Sequence, residues 1–184
     1  MLSRSTYTTK EAQKLRELIL YVAEKSVSDP KFGKTKLNKI LLAADVLAFM
    51  KRGRSISGSD YKSIEFGPAP VGMHIILDRM QADNELAIQP TSYLGKVQQR
   101  PINLRRAKLD AFSGEDIALL DEVIGDCRDF NARAISQASH GIAWELGRRT
   151  GKPIPMNAFF FRQKQKLRTY HLEKFSALAA QRGW

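Results

Sequence analysis

The chain has one cysteine, Cys127, among 184 residues, so no intramolecular disulfide is open to it. The fold must rest on its core, and such usage suits a reducing compartment. No apolar run approaches the roughly 18 residues that a membrane-spanning helix needs. Met1-Leu2-Ser3-Arg4 lacks the apolar stretch of a secretory signal, so a cytoplasmic location and no membrane partner are expected. The three histidines, His74, His140 and His171, lie far apart with no Cys or Glu at ligand spacing. A zinc site needs such clustering, so no metal is expected. Phosphate-loop, dinucleotide-binding and nucleophile-elbow motifs are missing as well. Gly53-Arg54-Ser55-Ile56-Ser57-Gly58 is glycine-spaced but opens no helix after a strand, and it reads as a loop. The expectation is a chain without a catalytic residue or a cofactor; it is not read as an enzyme.

What is present is an ordinary globular composition, 43% hydrophobic and 27% charged. A chain of this length buries roughly 70% of the surface it exposes when unfolded. One domain over residues 1–161, followed by a basic helix or tail over 162–184, is the expected organisation. The net charge is +11. Residues 1–110 carry 19 Lys/Arg against 11 Asp/Glu, residues 111–161 carry 5 against 7, and residues 162–184 carry 6 against 1. Such a field draws nucleic acid, anionic membrane or an acidic protein, and charge alone does not choose among them.

Apolar spacing predicts a mainly α fold (α+β), a single helical domain with a small two- or three-stranded antiparallel sheet. The first helix is predicted over 9–27, with Thr8 and Glu11 as a capping box and Asp29-Pro30 as its stop. The second, over 35–52, carries Leu37, Ile40, Leu41, Ala44, Leu47 and Ala48 at a 3.6-residue period, the pattern of a central core helix. Gly53 supplies its left-handed stop. Residues 54–69 read as a loop with an extended piece from Lys62 to Phe66. Pro70 is placed at the first turn of a third helix, whose stripe is Met73, Ile76, Leu77 and Met80. Two short strands are predicted at 86–88 and 97–104, with Pro90 and Gly95 punctuating their connection. Ser113 caps a fourth helix whose apolar face ends at Cys127, making that thiol a core residue. Asn131 caps a fifth, and Trp144 falls on a short turn or helix. A last helix is predicted over 157–181.

Asp45 sits mid-helix among Ala43, Ala44 and Val46. A buried carboxylate needs a partner, and Lys34, Lys39 or Tyr61 could supply it. Lys31, Lys34, Lys36 and Lys39 cluster at the start of the second helix, which makes nucleic acid the competing partner class. Base reading, however, needs an exposed helix in a groove, and this one is too apolar to be given up.

Taken in order, these pieces resemble the Panacea (SocA-like) antitoxin domain. Lys34-Thr35-Lys36-Leu37-Asn38-Lys39-Ile40-Leu41-Leu42-Ala43-Ala44-Asp45 resembles its K-x-K-L-x-K-L-L-x-x-A-D signature. Gly53 to Gly58 with Tyr61 resembles its G-R-x-I-T-G-x-x-Y segment, and Phe66-Gly67-Pro68-Ala69-Pro70 its Y-G-P-x-P turn, with Phe in place of Tyr. Phe112-Ser113 and the fourth helix, Ser139-His140 to Trp144, and Ile154-Pro155 resemble its later motifs. The match spans roughly 11–160 and leaves the tail uncovered.

The resemblance implies a helical domain with a small sheet and the role of an antitoxin that binds and neutralises a co-encoded toxin. It also implies, for some SocA-like members, an adaptor role toward a Clp-type protease. The family occurs in prophages and mobile elements, so a nucleic-acid-binding regulator of that origin is the alternative reading. The partner surface is expected around the loop 54–70, with Lys34, Lys39, Asp45, Arg54, Tyr61, Phe66 and Pro68 as its candidate residues. Simple core packing is the competing reading for Tyr61, Phe66 and Trp144.

Overall fold

The structure, a computed structural model, describes residues 9–161. Among them are six α-helices: α1 Lys10–Lys25, α2 Lys34–Arg52, α3 Met73–Ala82, α4 Gly114–Cys127, α5 Ala132–Ala138 and α6 Ile142–Thr150. Two antiparallel hairpins accompany them, β1 Tyr61–Ile64 with β2 Gly67–Pro70 and β3 Leu86–Tyr93 with β4 Lys96–Asn103. A short 3₁₀ helix covers Met156–Phe160. The fold is mainly α, and its strands form two separate two-stranded sheets rather than one small sheet.

The helix α2 runs through the middle, touching α1, α4, α5, β2, β4 and the 3₁₀ helix. Leu37, Ile40, Leu41, Ala44 and Ala48 are buried, as their period predicts, together with Leu15, Leu18, Ile19 and Val22 of α1 and Leu120 and Val123 of α4. Each fully buried aliphatic side chain of this kind contributes roughly 1.5–3 kcal/mol, so these facing stripes are the main source of stability. Because neighbours cover several sides of α2, its polar Lys36, Lys39 and Asp45 are buried too.

Caps set the helix limits. Thr9, not Thr8, caps α1 by accepting from the Ala12 N–H at 3.2 Å; Thr8 lies outside the described residues. Gly53, at φ +70°, ends α2 in the left-handed conformation. Ser113 and Asp116 form a reciprocal capping box on α4, and Asn131 caps α5. Trp144 lies on a nine-residue helix. The helix predicted over 157–181 falls mostly outside the described residues.

Two prolines stand elsewhere than expected. Pro70 closes β2 opposite Tyr61, and α3 begins only at Met73, after Gly72. Pro90 lies within β3, opposite Gln99, so β3 runs on to Tyr93. A two-stranded sheet has only edge strands, which tolerate a residue with no N–H. Leu94 and Gly95, both at positive φ, form the tight turn between β3 and β4.

Candidate functional site

The loop after α2 is held from the inside. Asp45, 1% exposed, accepts from the Ile56 N–H at 2.8 Å, the Ser57 N–H at 2.8 Å and the Tyr61 hydroxyl at 2.8 Å, and also from Ser57 Oγ. Burial pushes the carboxyl above its ordinary pKa, while these donors pull it back down. The Tyr61 phenol is driven well above its ordinary value by burial and by the facing Asp45 charge. Of the three partners weighed for Asp45, Tyr61 is the one that bonds it.

Lys39 points elsewhere. Its Nζ donates to the Pro68 carbonyl at 2.7 Å, beneath the β1–β2 hairpin. Burial lowers its pKa to about 8. Three further bonds seat the hairpin on the α5–α6 corner: Ser136 Oγ to Phe66 O at 2.8 Å, Trp144 Nε1 to Ile64 O at 2.9 Å, and Ser63 Oγ to Trp144 O at 2.6 Å. The His140 ring stacks on Trp144 with centroids 4.0 Å apart, and Arg148 lies over the Trp144 ring at 4.9 Å. Gly67 sits at φ +92°, where a Cβ would collide with Ser139 Oγ and stand 2.7 Å from Lys39 Nζ. Glycine is therefore required on two counts, conformation and space.

The seven candidate residues separate. Asp45 and Tyr61 form the buried hub, and Lys39 and Pro68 form the hairpin's seat. Phe66, at the hairpin turn, is 56% exposed. Arg54 is exposed and lines a cavity of about 320 Å³ with Phe49, Asp60 and Met156. Lys34 is half-buried at the start of α2. The competing reading of core packing fits Tyr61, which is fully buried, but not Phe66; Trp144 is half-buried. Ser63 and Ser136 drew no notice in the sequence, because a serine carries no periodic signal; Ser139 was seen only as the first residue of a motif. His140 and Trp144 stood in a motif, but nothing local tied them to the hairpin.

The expected lysine cluster on α2 also changes meaning. Lys36 and Lys39 turn inward, and Lys36 Nζ is spent on Asp29 and on the Arg128 and Phe130 carbonyls. Cys127 is a core thiol whose pKa burial raises, an inert setting. Among the described residues, no group of three His, Cys, Asp or Glu could hold a metal ion, and no helix is long and apolar enough to cross a membrane.

Residues 37–145 match the family model of the SocA-like antitoxins, the Panacea domain. The chain belongs to that family. The matched span holds all of the hub and the hairpin seat, from Lys39 through Asp45, Tyr61 and Gly67 to Trp144, so the Panacea domain includes this whole arrangement. No curated protein and no solved structure matches the chain.

Proposed function

We propose that this Panacea-domain protein is an antitoxin that neutralises a co-encoded toxin by direct complex formation. Its binding surface is the β1–β2 hairpin and the α5–α6 corner beneath it, with Arg54 and Lys34 on flanking ground. One observation carries the reading. Phe66 stands 56% exposed on a turn that Ser136, Trp144 and Lys39 hold in place. An aromatic side chain on a rigid mount loses little entropy on binding, and such residues anchor protein interfaces. Family membership supports a protein partner such as a toxin.

An adaptor role toward a Clp-type protease is compatible with the same surface, since delivery requires the toxin to be bound first. The nucleic-acid reading loses support on α2, where Lys36 and Lys39 face inward and the apolar face is covered. The test is co-expression with the products of adjacent genes, followed by co-purification and growth rescue. A stable complex that Phe66→Ala weakens is the expected result. A salt-dependent shift of plain DNA, with no protein complex, would favour the nucleic-acid regulator instead.

A further inference from the structure

The β1–β2 hairpin offers no strand edge to a partner. On the outer side of β1, Ile154 bridges Tyr61, its N–H donating to the Tyr61 carbonyl at 2.7 Å. Helix α6 lies alongside Ser63, so closely that a Cβ on Gly147 would collide with Ser63 Oγ and stand 2.8 Å from Ile154 Cγ1. On the other side β2 lies against α2, with Lys39 on its Pro68 carbonyl. Pairing by main-chain hydrogen bonds is closed, so recognition at the hairpin falls to side chains.

Those side chains are cationic and apolar. By strand alternation Lys62 and Ile64 share the side of β1 turned away from Tyr61; Lys62 is exposed and Ile64 is 36% exposed, with Phe66 at 56% on the turn. Arg148 and Arg149 at the end of α6, and Lys152 just past it, are exposed as well. The acids on the same elements are Glu65 and Glu145. Neither Lys62, Arg148, Arg149 nor Lys152 forms a salt bridge with a carboxylate of the described residues.

Arg148 is the fixed point of this face. Its guanidinium carbon lies 4.9 Å from the centre of the Trp144 ring, which also stacks on His140 at 4.0 Å. The indole is itself held, through Nε1, by the Ile64 carbonyl at 2.9 Å. An arginine resting on an aromatic ring is steadied there and keeps its fork of N–H groups for another partner.

We infer that the face made by β1 and α6 docks an acidic surface of the toxin, with an Asp or Glu carboxylate received by the Arg148 guanidinium and apolar neighbours packing on Ile64 and Phe66. Two parallel N–H···O bonds join such a pair, and the ordering of Arg148 on Trp144 lowers the entropy lost when they form. Exposed Ile64 and Phe66 among the cations suit a protein surface. Nucleic acid asks for aromatic faces on which bases stack, and Trp144 already carries His140 and Arg148. This inference rests on the antitoxin reading for the source of the carboxylate, and on this chain alone for the basic face.

The experiment has two arms. The first uses the complex with the co-purified product of an adjacent gene. Arg148→Gln and Arg148→Lys are each expected to weaken binding about tenfold or more, since lysine keeps the charge but not the fork. Arg79→Gln, at a side chain 65% exposed on α3, controls for net charge and should bind like the parent. The parent's association rate should fall as salt is raised, and that of Arg148→Gln less steeply. Parent-like affinity of either Arg148 variant, an equal loss in Arg79→Gln, or a loss that merely tracks a lowered unfolding midpoint overturns the proposal. The second arm follows the Arg148 Nε–H by NMR in the free protein. Poly-L-glutamate is expected to shift it at lower concentration than oligothymidylate or mixed phosphatidylserine–phosphatidylcholine vesicles. No shift, or a stronger response to either of the other two, overturns the acidic-protein assignment. Failure of the parent to bind any adjacent gene product counts against the antitoxin reading, and the poly-L-glutamate arm then decides the basic face.

Discussion

Asp45 and Tyr61 stand 16 residues apart and share a buried hydrogen bond of 2.8 Å that ties the interior of α2 to the start of β1. Tyr61→Phe deletes one donor and leaves Ser57 Oγ on the same carboxylate oxygen, so it should cost about 1–2 kcal/mol. Asp45→Ala strands the Ile56 and Ser57 N–H groups and the Tyr61 hydroxyl together, and should cost about 3–5 kcal/mol. Urea denaturation of both variants and of the double variant measures the coupling. Strictly additive losses would show that the pair does not act as one unit.

The lowered pKa of Lys39 makes stability depend on pH. A lysine at about 8 in the folded state, against 10.5 when unfolded, binds fewer protons folded than unfolded between those values. Folding is therefore penalised below pH 8, and the penalty is relieved as pH rises toward 10.5. The shift corresponds to about 3 kcal/mol over that window. Tyr61 and Cys127, whose pKa values are raised, oppose it at the alkaline end. The checkable quantity is thus the difference between the parent and Lys39→Met, whose stability should lack this upward slope.

Gly67→Ala should destabilise by about 1–3 kcal/mol, since the position is at φ +92° and its new methyl would press on Ser139 and Lys39. Thermal unfolding gives the number. A neutral result would mean that both side chains and the turn give way freely.

Phe66→Ala should leave the unfolding midpoint almost unchanged, within about 0.5 kcal/mol, because the ring is mostly exposed. The same variant should lose at least about tenfold in partner affinity. A drop in stability with unchanged affinity would place Phe66 in the fold rather than in the interface.

Deletion of residues 162–184 is expected to leave a folded domain. The main core cluster draws its buried residues from Leu15 to Cys127, all upstream of the cut. Loss of a cooperative transition in the shortened chain would show the tail to be part of the domain.

The helices were legible because their signals are local. The stripes of α1, α2 and α4 each recur within one segment, and Ser113 and Asn131 lie next to the N–H groups they cap. The β1–β2 hairpin was half hidden. Gly67 to Pro70 has no alternation and two prolines, so only its partner segment looked extended. The inward turn of Lys36 was not readable at all: its carbonyl partners lie 92 and 94 residues downstream. Asp45 was readable as a buried acid, because its apolar neighbours on α2 announced the burial and Tyr61 stood within reach.

The loop from Gly53 to Asp60 takes its shape from bonds made behind it. Asp45 grips backbone N–H groups and the short Ser57 hydroxyl, none of which depends on the outward-facing side chains of Arg54 or Asp60. Those outer positions can be exchanged without unseating the chain beneath them. A lineage could thus reshape what this face attracts by altering side chains alone, while one unchanged acid keeps the mould.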